Sequence, residues 1–67
     1  MSELVLQLIA KAKRTNAKKL DLGKCGLTKL PNALFELTDL EELDLHDNHL
    51  KDISFISNLT NLRKLDL

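Results

Sequence analysis

Three stretches of this 67-residue chain repeat one another. The central one, Leu40-Glu41-Glu42-Leu43-Asp44-Leu45-His46-Asp47-Asn48-His49-Leu50, reads L-x-x-L-x-L-x-x-N-x-L. Ala17-Lys18-Lys19-Leu20-Asp21-Leu22-Gly23-Lys24-Cys25-Gly26-Leu27 precedes it, and Leu62-Arg63-Lys64-Leu65-Asp66-Leu67 follows. Leu20, Leu43 and Leu65 occupy one register, 23 and 22 residues apart. A period of this length constrains the fold more than composition does. Each unit is too small to bury its apolar side alone, so successive units must stack and share a core.

The period, the L-x-x-L-x-L core and the Cys or Asn at the ninth position make residues 17–67 resemble the leucine-rich-repeat family. The resemblance implies an α/β fold: a right-handed β–α superhelical solenoid with a short parallel sheet, whose usual role is binding other proteins. It also implies that the ninth residue turns inward and hydrogen-bonds the backbone of the neighbouring turn. Asn48 offers two donors and an acceptor for this; Cys25, in the first repeat, makes weaker bonds. Leu27 to Leu37, with Pro31, resembles the L-x-x-L-P type of connection, with a helical turn on the convex side. Leu50 to Leu59 lacks the proline, is one residue shorter, and resembles the bacterial 22-residue type with a 3₁₀ turn.

Residues 1–16 form an N-terminal capping helix in this reading, and residues 17–67 the repeats, two complete and a third that reaches its strand. A helix is predicted over residues 3–14, with Ser2 as N-cap, Glu3 in the first turn, and Lys11, Lys13 and Arg14 toward the C-terminal end. Leu4, Leu8 and Ala12, with Val5 and Ile9, form its apolar face. Asn16 suits the left-handed conformation that ends a helix. Strands are predicted near Lys19–Leu22, Glu42–Leu45 and Lys64–Leu67. The predicted interior is Leu20, Leu22, Leu27, Leu30, Leu34, Leu37, Leu40, Leu43, Leu45, Leu50, Ile53, Ile56, Leu59, Leu62 and Leu65; Phe35 and Phe55 pack beside it.

Ten basic and ten acidic residues cancel, and no basic stripe of the kind that binds nucleic acid or anionic membrane is present. One cysteine forms no internal disulfide, which suits a reducing, cytoplasmic compartment. The apolar stretch Leu4 to Ala10 is too short to span a bilayer and lacks the features of a signal peptide.

Strand positions between the leucines stack into columns. Lys18, Glu41 and Arg63 alternate in sign, as do Lys19, Glu42 and Lys64; Asp21, Asp44 and Asp66 are all negative. Opposite charges across neighbouring strands stabilise by about 0.2–1 kcal/mol per pair, and like charges cost a similar amount. Either the aspartates dock a cationic group or they are solvated beside their lysine neighbours. His46, Asp47 and His49 suggest a metal trio, but their side chains are expected to diverge, so no metal site is assigned. No phosphate loop or nucleophilic triad is legible, and Lys24 beside Cys25 is weak ground for a reactive thiol. No catalytic residue and no cofactor are assigned.

The expected function is a non-catalytic protein–protein interaction module whose partner the sequence does not name. Lys19, Asp21, Glu42, Asp44, His46, Lys64 and Asp66 are the expected contacts on the concave face. Without Trp or Tyr, such contact is electrostatic and weak. Alternatively, the chain is the regulatory N-terminal segment of a larger enzyme such as a repeat-containing GTPase or ubiquitin ligase. A third reading is self-assembly: with no C-terminal cap, Leu65 and Leu67 mark an open edge strand that invites a homodimer.

Overall fold

The computed structural model describes residues 3–67, and every side chain among them except those of Phe55 and Ile56. The expected cap Ser2 and the expected packing of Phe55 and Ile56 therefore lie outside the described residues. Helix α1 (Glu3–Thr15) opens the fold, with Glu3 at its positive end and Lys13 and Arg14 at its negative end. Its buried line is Val5, Ile9 and Ala12, with Leu8 half-buried beside it. Leu4 is 58% exposed, contrary to expectation. The helix meets the first strand and the first 3₁₀ turn along the 5–9–12 line, and each residue step turns the helix by about 100°. Leu4 therefore falls to one side, a turn before the half-buried Leu8.

Asn16 stops the helix as expected, at φ 52°. The Ala17 N–H donates to the Ala12 carbonyl at 2.9 Å and the Asn16 N–H to the Lys13 carbonyl at 3.3 Å. This pair of bonds is the Schellman arrangement, and it satisfies carbonyls that α1 would otherwise leave open. The chain is thereby turned directly into the first strand.

Strands β1 (Lys19–Asp21), β2 (Glu42–Asp44) and β3 (Lys64–Asp66) form a parallel sheet in that order. Lys19, Glu42 and Lys64 are in register, as are Leu20, Leu43 and Leu65, and Asp21, Asp44 and Asp66. Each strand ends a residue earlier than expected. Pairing nevertheless continues: the Leu22 N–H donates to the Asp44 carbonyl at 2.8 Å, and the Leu45 N–H to the Asp66 carbonyl at 2.7 Å. The difference is one of boundary, where strand ends are least sharply defined.

Both connections carry a five-residue 3₁₀ helix, Asn32–Glu36 and Ser54–Asn58. A helical turn was expected in the first and a 3₁₀ turn in the second. Pro31, extended at φ −70°, starts the first. The Asp52 carboxylate, accepting from the Ser54 N–H at 2.8 Å, starts the second without a proline. Different residues thus set the same short turn.

The core runs through Leu20, Leu22, Leu27, Leu34, Leu37, Leu40, Leu43, Leu45 and Leu59, closed on one side by Val5, Ile9 and Ala12. Leu30, Leu50, Leu62, Leu65 and Phe35 pack partly buried against it. Ile53, expected inward, is 46% exposed. It belongs to the last coil of the structure, where an inward position has a neighbouring coil on one side only.

Asn48 fastens one coil to the next. Its Oδ1 accepts from the N–H groups of Cys25 at 3.1 Å and Leu27 at 3.0 Å. Its Nδ2 donates to the carbonyls of Leu22 at 2.9 Å and Leu45 at 3.0 Å. With a longer 3.4 Å bond from Nδ2 to the His46 carbonyl, one side chain thus pairs five backbone groups of two turns. The thiol of Cys25, at the matching position one repeat earlier, makes a local 3.5 Å contact to the Gly23 carbonyl. Asn61 adds a second link between coils, donating to the Thr38 carbonyl at 2.7 Å.

Candidate functional site: the open face of the sheet

Alternation along each strand turns the leucine into the core and the two flanking residues out. Lys19, Asp21, Glu42, Asp44, Lys64 and Asp66 consequently line one shallow depression of about 430 Å³. These are six of the seven residues expected to face a partner. The seventh, His46, sits at the end of β2 beside Asp44.

At one end of the depression Glu42 bridges both neighbouring strands. Its Oε2 lies 3.2 Å from the Lys19 ammonium and its Oε1 lies 3.5 Å from that of Lys64. The hydrogen bond from Lys19, aided by the charges of both lysines, holds the Glu42 carboxyl below its ordinary pKa. Glu41 repeats the arrangement next door, 3.6 Å from Lys18 and 3.9 Å from Arg63. Both alternating columns are therefore formed. The lysines and Arg63 are largely exposed, so solvent screens these pairs and they add little to the stability of the fold.

The aspartate column is built differently. Asp21 Oδ1 accepts from the Gly23 N–H at 2.8 Å, and Asp44 Oδ1 accepts from the His46 N–H at 3.0 Å. Each carboxylate bonds its own chain two residues on, the Asx arrangement that begins a turn. The following residues, Lys24 and Asp47, take positive φ values of 58° and 55°. The aspartates thus end the strands as well as facing solvent. Neither of the two readings offered for this column named that role. The signal lay in the spacing: an aspartate three residues before each left-handed position.

His46 is fixed from two sides. Its Nδ1 lies 2.6 Å from Asp44 Oδ1, and its ring lies against the backbone of Gly23. A Cβ on Gly23 would stand 2.0 Å from His46 Cε1, so the close approach requires glycine there. The Asp44 bond raises the His46 pKa above its ordinary value, with smaller help from the charges of Asp21 and Asp47. Asp44 is held below the ordinary carboxylate range, first by the His46 N–H and then by the ring.

His49, Asp47 and His46 do not form a metal-ligand set among the described residues. A different trio comes together instead: ligand atoms of Asp21, Asp44 and His46 lie within 4.8 Å of one another. Sequence spacing missed it, because Asp21 arrives from the previous repeat. The trio faces solvent, and Oδ1 of both aspartates already accepts backbone hydrogen bonds that shape the turns. We assign it to the turns.

β3 bonds β2 on one side and has no strand on the other among the described residues. Leu65 is half-buried there, and Leu67 is 57% exposed. Among the described residues no helix is long and apolar enough to cross a membrane.

Comparison with known proteins agrees with this architecture. The leucine rich repeat family model matches residues 15–67. The mouse protein named volume-regulated anion channel subunit LRRC8E is 48% identical over 48 residues, 72% of this chain and 6% of that protein. Human volume-regulated anion channel subunit LRRC8A is 40% identical over 53 residues, 79% of this chain and 6% of that protein. Human subunit LRRC8D is 36% identical over 61 residues, 91% of this chain and 7% of that protein. The chain thus spans 6% or 7% of the length of these relatives. No solved structure matches it. Repeated leucines in one register, Asn48 tying coil to coil, and a family match across all three strands together place the chain in the leucine-rich-repeat family.

Proposed function

We propose that this chain is a non-catalytic protein-interaction module that binds a partner protein through Lys19, Asp21, Glu42, Asp44, His46, Lys64 and Asp66. The observation that carries the reading is the single depression lined by six of these residues, on a face whose backbone is fixed by the strand ladder. Repeat proteins use such faces for binding. In this reading residues 1–16 cap the N-terminal end of a right-handed solenoid whose coils occupy residues 17–67. Recognition is by charge, with the His46 ring beside the aspartates. A net charge of zero and the ion-paired columns favour a protein over nucleic acid or membrane. No cofactor is needed, and the reducing cytoplasm suits the single thiol.

The small share of each relative that the chain matches favours a second reading at larger scale. The same segment then serves as one recognition piece within a larger protein, as a repeat segment sits within the channel subunits named above.

The test pans a displayed random-peptide library on the immobilised protein and measures Kd for the selected peptides. Asp44→Asn keeps the turn acceptor and removes the charge; together with Lys64→Gln it is expected to weaken binding at least tenfold, about 1.4 kcal/mol. Lys29→Gln, in the loop after β1, is expected to leave Kd unchanged. Ligands indifferent to the first pair of substitutions would contradict the reading.

A further inference from the structure

The outer edge of β3 is its own complement. The Lys64 N–H donates to the Glu41 carbonyl at 3.0 Å, and the Asp66 carbonyl accepts from the Leu45 N–H at 2.7 Å. Residues 64 and 66 therefore direct their backbone groups toward β2. Successive residues of a strand alternate in this respect, so the Leu65 N–H and C=O point away from the sheet. Lys64 and Asp66 flank Leu65 with opposite charges on the same open face.

The geometry points to a second copy of this chain as the occupant of that edge, paired antiparallel about a two-fold axis at Leu65. In that register the two Leu65 residues exchange both backbone hydrogen bonds, with Cα atoms about 5.5 Å apart. Lys64 of each copy then stands directly opposite Asp66 of the other, in the closer type of pair at about 4.5 Å. Strand β2 carries Glu42 and Asp44, two acids, and would not complement itself in this way. Pairing also extends the charge pattern across the joint. The column Lys19, Glu42, Lys64 continues into the other copy's Asp66, and the uniformly negative column of Asp21, Asp44 and Asp66 gains that copy's Lys64. Half-buried Leu62 and Leu65, with exposed Ile53 and Leu67, supply apolar surface in the coil that carries this edge. The joint shares Lys64 and Asp66 with the depression assigned above, but it is read from the oligomeric state of the chain alone, with no peptide present, so its failure is distinguishable from failure of that reading.

The test is sedimentation velocity of the 67-residue protein over a dilution series, with charge variants at the joint. The wild-type chain is expected to pass from monomer to dimer as concentration rises. Lys64→Glu and Asp66→Lys, each alone, set like charges opposite one another at both symmetry-related positions. Each is expected to weaken dimerisation at least tenfold. Mixing the two variants restores opposite charges across the axis, so the mixture is expected to dimerise where neither component does. A wild-type monomer throughout the series would overturn the proposal; so would a dimer that both reversals leave unchanged. Should the variants fail to fold, amide hydrogen exchange on the wild-type chain decides. Protection of the Leu65 N–H that grows with concentration supports the pairing, and exchange independent of concentration overturns it.

Discussion

His46 shows how much one residue's role depends on partners far away in sequence or hidden in local geometry. Two histidines and an aspartate close together suggested a metal trio, yet His46 instead bonds Asp44, two residues earlier, and rests on Gly23 of the previous repeat. The bond ties folding to pH. Protonated His46 is favoured in the fold, so its contribution is complete below about pH 6.5 and is lost as pH rises through its higher folded value. Asp44 works in the opposite sense: its contribution is present above about pH 3.9 and is lost as pH falls through its lowered folded value. Both charges support the fold between these limits. Following the His46 Cε1 proton by NMR, the titration midpoint is expected above 6.5 in the wild type. In Asp44→Asn, where the amide oxygen still accepts the turn bond, the midpoint is expected to fall back toward the ordinary value. Equal midpoints in the two proteins would remove Asp44 as the cause.

At the scale of elements, the leucine register predicted which strand positions face inward, and the charge columns followed from the same register. Asn48 was legible through the family pattern at the ninth position. Its hydrogen bonds make a strong demand: Asn48→Asp keeps the acceptor for Cys25 and Leu27 but removes both donors to Leu22 and Leu45. Half-buried carbonyls without partners, facing a new carboxylate, are expected to cost about 2–4 kcal/mol, measured by urea denaturation. A loss under about 0.5 kcal/mol would mean that solvent satisfies these groups and that the link between coils is incidental. Other elements were less legible, for physical reasons. The apolar residues of α1 allow more than one buried line, and the surface packed against the helix chose Val5, Ile9 and Ala12 over Leu4. Ile53 has the right spacing for the interior, but burial needs atoms on both sides. The aspartates' turn bonds span two residues, so comparison between repeats showed the column and not its local cause.

The described residues form a short stack with α1 packed against the first strand and the first 3₁₀ turn, and the stability of the 67-residue chain is expected to be small. Chains of this length bury only about 60% of the surface they expose when unfolded. Within so limited a core, the ion pairs on the open face add little to stability, being largely exposed. Their arrangement makes more sense as recognition: a rigid ladder presents fixed charges in register, and the same charges leave the β3 edge complementary to itself. In the proposed function this face, and not the helical or 3₁₀ side, meets the partner. The most direct measurement is an amide chemical-shift map of the ¹⁵N-labelled chain titrated with a selected peptide ligand. Shifts concentrated at residues 19–21, 42–46 and 64–66 are the result expected here. Shifts concentrated on α1 or on the 3₁₀ turns at Asn32–Glu36 and Ser54–Asn58, with the strands unmoved, would contradict it.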